Sequence, residues 1–142
     1  MTSIKNKLKS EIKKQKIIFS IFGLGNVGGP IAAVWLRAGA KVIGVDISKN
    51  LLNNIKNGVS HKKEPFVSKE FTNGLKNKLF SLTNDGIAAS KNSDIKIIIV
   101  PVAIKNGKAD FTALISVTKS ISQGLKKGDA VIVCPSLPPK TT

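Results

Sequence analysis

Three glycines and one acid carry the spacing in this chain that points to chemistry. Gly23-Leu24-Gly25-Asn26-Val27-Gly28 reads G-x-G-x-x-G, and Asp46 follows Gly28 by 18 residues. In such a unit Gly23 permits a tight turn out of a strand. Gly25 lets backbone approach a pyrophosphate, and Gly28 lets a helix pack closely on the strand. The N–H groups that open a helix at Gly28 present partial positive charge to phosphate oxygens, and Asn26 and Val27 lie in the same loop. A carboxylate at Asp46 accepts hydrogen bonds from ribose hydroxyls and repels a 2′-phosphate, which favours NAD over NADP.

The elements needed to place these residues are legible around them. Ile17, Ile18, Phe19, Ile21 and Phe22 make the near-continuous apolar run of a central parallel strand. A helix is expected from the glycine loop to about Ala38, with Pro30 in its first turn or so and Gly39 at its stop. Lys41–Val45 supplies a second β-branched strand that delivers Asp46. A lone glycine motif is weak, because glycines also mark ordinary turns. Its setting between strand and helix, with the acid at the next strand end, makes it a dinucleotide signature.

The rest of the chain continues the alternation. Ser48 caps a helix through Leu51, Leu52 and Ile55, stopped at Asn57-Gly58. A polar connector carrying the sole histidine, His61, ends at Glu64-Pro65, and Ser68–Leu79 reads as a helix. Leu79–Thr83 is a short strand, and Asn84-Asp85-Gly86 turns into a brief helix. Ile95–Val100 is a buried strand closed by Pro101, and Asn106–Asp110 is a loop. Phe111–Gly124 is a helix with Leu114, Ile115, Val117, Ile121 and Leu125 inward, and Ala130–Cys134 is the last strand. The pattern predicts an α/β fold: one Rossmann-type, doubly wound parallel sheet in a single domain over 16–142, preceded by a basic N-terminal extension over 1–15. Ile4, Leu8 and Ile12, four apart among lysines, make that extension a short amphipathic helix or frayed arm.

At 142 residues the chain suffices for one domain. No apolar run reaches membrane-spanning length, the N-terminus lacks a signal-peptide pattern, and the single cysteine, Cys134, fits a reducing cytoplasm. The net charge of +15 raises nucleic acid as a partner. Of the 23 basic residues only Arg37 is arginine, and they are spread along the chain with few aromatics for base stacking. A lysine-rich solvated surface is the better reading, with a field that helps gather an anionic nucleotide.

From Lys16 to Thr142 the chain resembles the N-terminal domain of the UDP-glucose/GDP-mannose dehydrogenase family. The resemblance is carried by GLGNVGGP (Gly23–Pro30), AGAKVIGVDIS (Ala38–Ser48), Asn57-Gly58 with Glu64-Pro65, and IIIVP (Ile97–Pro101). It continues through ADF (Ala109–Phe111) and LKKGDAVIVCPSLPPKTT (Leu125–Thr142). The chain departs from the family pattern at Asn26, Gly29, Val102-Ala103, Cys134-Pro135 and Lys140, mostly on the cofactor face.

The resemblance implies NAD-dependent, two-step oxidation of a UDP-sugar, UDP-N-acetylmannosamine or UDP-glucose, to its uronate. It implies further that the catalytic cysteine and much of the sugar pocket belong to a C-terminal domain, so that these residues read as an excerpt, inactive alone. Family enzymes often pair, so a homodimer is the assembly it allows. By the same resemblance, Val100 and Pro101 join Gly23, Gly25, Asn26, Val27, Gly28 and Asp46 as cofactor-binding residues. Ser136 stands for a threonine near the reacting end of the nicotinamide, as a catalytic, water- or cofactor-orienting group. Cys134 matches a family glutamate and is expected to be a small buried hydrophobe. No metal site is expected. The alternative reading is a degenerate, non-catalytic Rossmann module for dinucleotide binding or association.

Overall fold

A computed structural model describes residues 2–59, 64–105, 107–137 and 139. His61, Pro138 and Lys140 lie outside the described residues. Five parallel strands, β1 (Ile18–Phe22), β2 (Lys41–Val45), β3 (Phe80–Thr83), β4 (Ile95–Ile98) and β7 (Ala130–Val133), form one sheet in the order β3-β2-β1-β4-β7. The helices are α1 (Thr2–Lys13), α2 (Gly28–Arg37), α3 (Lys49–Lys56), α4 (Pro65–Lys76), α5 (Gly86–Lys91) and α6 (Thr112–Ser122). Register is continuous across the centre: Ser20 faces Ile43 on one side and Lys96 on the other.

Side chains alternate across a strand, so β1 feeds two cores. Phe19 and Ile21 join Leu24, Ala32, Ala33, Leu36, Val67, Phe71 and Phe80 under α2 and α4. Phe22 joins Val45, Ala89, Ile98 and Ile121 under α5 and α6. Phe19 stacks on Trp35 of α2 at 4.1 Å between ring centres. On the second face Ser20 is fully buried, and its hydroxyl shares a 2.8 Å hydrogen bond with Ser93, which donates in turn to the Ala89 carbonyl at 2.9 Å.

The helix expected over Ser68–Leu79 runs three residues earlier, over Pro65–Lys76. Pro65 opens it because the first helical N–H has no partner to lose. Its C-terminal end is closed by Lys78 at φ 59 and by the Leu79 N–H donating to the Gly74 carbonyl. The segment read as a loop over Asn106–Asp110 contributes to a hairpin, β5 (Ala103–Lys105) against β6 (Lys108–Asp110), clipped by a 2.5 Å Lys105–Asp110 ion pair. On α6 only Ile121 is buried, Leu114 and Val117 are partly so and Ile115 is half exposed, as is Leu125, which lies beyond the end of the helix.

β4 holds Lys96 fully buried within an otherwise apolar run. Its ammonium donates to the Ser93 carbonyl and forms an ion pair with Asp129, which is itself 4% exposed. The basic extension is helical; Ile12 packs on the core while Ile4 and Leu8 face solvent.

Candidate cofactor site

All five strands end at one edge, and the strand order reverses direction between β1 and β4. A crevice of about 590 Å³ opens there, outside the carboxyl ends, where an open α/β sheet takes its ligands. Gly23, Gly25, Asn26 and Val27 line it from the β1–α2 loop and Asp46 from the end of β2. Ile99 to Val102 follow β4, and Cys134, Pro135 and Ser136 follow β7.

The glycines divide the work as their spacing suggests. Gly23 sits at φ +97, and a Cβ on it would lie 2.6 Å from the Ile99 carbonyl oxygen. A Cβ at Gly28 would fall 1.8 Å from the Gly23 carbonyl oxygen, so the first turn of α2 rests directly on the loop. Gly28 is buried and does not line the crevice; it lets the helix come close. Gly25 is the opposite case, with nothing within 4 Å of a Cβ built on it. That open backbone fits a phosphate. Val27, the N-cap of α2, gives no side-chain cap to the helix, while the Gly29 N–H already donates to the Gly25 carbonyl at 3.0 Å.

Asp46 is half-buried at the β2 end and fixed by backbone. Its Oδ2 accepts from the Leu24 N–H and its Oδ1 from the Ser48 N–H, both at 2.9 Å. Ser48 in turn caps α3, accepting from the Leu51 N–H at 3.2 Å. An ionised carboxylate offers about four acceptor positions, so two remain beyond these bonds on a residue that lines the crevice.

Every residue expected to meet the cofactor lies on the crevice wall except Gly28 just behind it. Ser136 is exposed at the β7 side of the same crevice as Asp46. Cys134 differs from expectation: it is exposed, not buried, because β7 is the edge strand and the chain leaves the sheet at this residue. Ile99 was not singled out by the sequence. Its only signal is its place one residue past the end of a buried strand. No cluster of three His, Cys, Asp or Glu side chains gathers among the described residues.

Strand order, switch-point crevice, open glycine loop and strand-end acid define a dinucleotide-binding domain of the Rossmann class. The sequence model of the UDP-glucose/GDP-mannose dehydrogenase family, NAD binding domain, matches residues 7–142. The chain belongs to this family, and NAD is the cofactor of the domain. It is 34% identical over 145 residues to a UDP-N-acetyl-D-mannosamine dehydrogenase of Methanococcus aeolicus, covering 95% of this chain and 31% of the relative. The enzyme of the same name from Campylobacter jejuni is 34% identical, with 86% of this chain and 30% of the relative covered.

Among solved structures, the GDP-mannose dehydrogenase of Pseudomonas aeruginosa, a ternary complex, superposes with a TM-score of 0.80. Identity is 31%, over 87% of this chain and 29% of that one. The UDP-D-ManNAc dehydrogenase of Pyrococcus horikoshii superposes with a TM-score of 0.83 at 26% identity, over 89% and 30%. The chain thus spans under a third of the length of these relatives.

Proposed function

We propose that the crevice holds NAD for a nucleotide-sugar dehydrogenase that oxidises a UDP-sugar, UDP-N-acetylmannosamine before UDP-glucose, to its uronate. The observation that carries the reading is the pairing of Gly25's open backbone with Asp46 across one switch-point crevice. The preference for the acetamido sugar rests on the similar enzymes from Methanococcus aeolicus and Campylobacter jejuni.

In this arrangement the loop from Gly23 to Gly28 and the start of α2 take the pyrophosphate, and Asp46 takes the adenosine ribose. When bound, NAD supplies the hydride acceptor for the sugar alcohol. Val100 and Pro101 pack against the cofactor from the β4 side and keep water from it. The Ser136 hydroxyl orients the nicotinamide end or a water beside it, a role open to an exposed hydroxyl on the crevice wall. The aldehyde stage of a two-step oxidation calls for a nucleophile placed against the sugar carbon. Cys134, the only cysteine in the 142 residues, lies in the crevice instead. These residues therefore bind NAD and do not turn over a UDP-sugar by themselves.

Titration calorimetry with NAD, NADH and NADP tests this reading, alongside an absorbance assay at the NADH band with each UDP-sugar. NAD and NADH binding with much weaker NADP binding, and no reduction, is the expected result. A domain that binds none of the three contradicts it.

A further inference from the structure

We propose that Asp46 is a positioning residue for the glycine loop: its carboxylate clasps that loop to the end of β2. The parallel ladder of β1 and β2 continues one step beyond β1, where the Gly23 N–H donates to the Val45 carbonyl at 2.8 Å. The left-handed turn at Gly23 then swings the chain out of the sheet, and the next donor, the Leu24 N–H, has passed the last carbonyl of β2. The Asp46 side chain reaches back to it with Oδ2, while Oδ1 takes the Ser48 N–H.

Leu24 is 1% exposed, and its side chain packs so closely over β2 that a Cβ on Gly44 would lie 2.8 Å from its Cδ1. Leu24 is thus held at both ends, by its side chain in the core and by its amide on Asp46. Its neighbour Gly25 inherits that placement. One carboxylate therefore couples two loops of the crevice, the phosphate turn and the β2–α3 turn. The two bonds already made fix the orientation of the carboxylate. The clasp is made by the domain's own residues; only its consequence for NAD rests on the reading of the crevice given above.

An asparagine keeps one acceptor oxygen and turns an NH2 group toward the second N–H, whereas alanine removes both acceptors. Amide hydrogen exchange of the ligand-free domain, followed by NMR in the parent, Asp46→Asn and Asp46→Ala, reads the clasp directly. Leu24 exchange is expected to rise at least tenfold in Asp46→Ala and by less in Asp46→Asn, with the Ile21 amide in β1 unchanged. Should Asp46→Ala fail to fold, the near-isosteric Asp46→Leu, which also removes both acceptors, decides the matter. Leu24 exchange equal to the parent in the variant that lacks both acceptors, or rising only in step with Ile21, overturns the proposal. A parent domain that binds no NAD would remove the cofactor reading and leave this measurement intact.

Discussion

Gly25 and Gly28 show how the same residue type serves opposite needs three positions apart. Around Gly28 the backbone of Gly23 occupies the space a side chain would need, so glycine is there for packing. Around Gly25 the space is open, so a side chain is tolerated by the fold and excluded only by a ligand. Gly25→Val is therefore expected to leave the melting temperature within a few degrees of the parent. It should also abolish NAD binding in calorimetry. Gly28→Ala, by contrast, forces α2 off the loop and is expected to lower thermal stability markedly in the same melting experiment. A Gly25→Val domain that binds NAD like the parent would remove the loop from the phosphate site.

At the scale of elements, the buried pair between β4 and the turn before β7 is the point of highest local stakes. Burial pushes the Asp129 carboxyl up, but the hydrogen bonds from the Lys96 ammonium and the Lys126 N–H outweigh it. The net result holds Asp129 below its ordinary value. A carboxyl lowered in the folded state stabilises above its unfolded pKa of about 3.9, and that contribution is lost as pH falls through the folded value. Removing one partner of such a pair strands the other charge, at a cost of about 3–5 kcal/mol. Lys96→Ala is expected to show a loss of this size in urea unfolding at pH 7, with a smaller loss for Lys96→Met paired with Asp129→Leu. Equal losses in the two would show that packing, not charge, sets the cost.

The hairpin's ion pair belongs to another class. The Lys105 ammonium and the Thr112 hydroxyl hold Asp110 well below the usual carboxylate range, yet the Lys105 side chain is 74% exposed. Solvent screens such a pair, and Lys105→Ala is expected to leave global unfolding unchanged.

Across the whole molecule, 23 basic residues against 8 acidic ones make a field of one sign. Among the described residues the crevice wall carries one acid, Asp46, and no lysine or arginine. In the proposed complex the phosphates are held by backbone N–H groups at short range and gathered by the diffuse lysine field at long range. The association rate of NAD is expected to fall by several-fold between low and physiological salt, because screening shortens the field to about 8 Å. The dissociation rate should change little, a split that stopped-flow fluorescence measures. Equal salt sensitivity of both rates would place lysine contacts inside the bound complex.

Much of this molecule is set locally and can be read along the chain. The continuous apolar runs, the glycine turn, Ser48 as a cap and Asp46 at a strand end are each decided by neighbours within a few residues. Strand identity, the parallel sheet and most of the crevice wall follow from them. What the chain order does not contain is which strand becomes an edge and which distant atoms meet. Cys134 lies exposed because, among the described residues, β7 is an edge of the sheet, and Lys96 is buried because Asp129, 33 residues away, meets it. Asp46 reaches the Leu24 amide across 22 residues of sequence, and only the side-by-side packing of β1 and β2 brings them within hydrogen-bond distance.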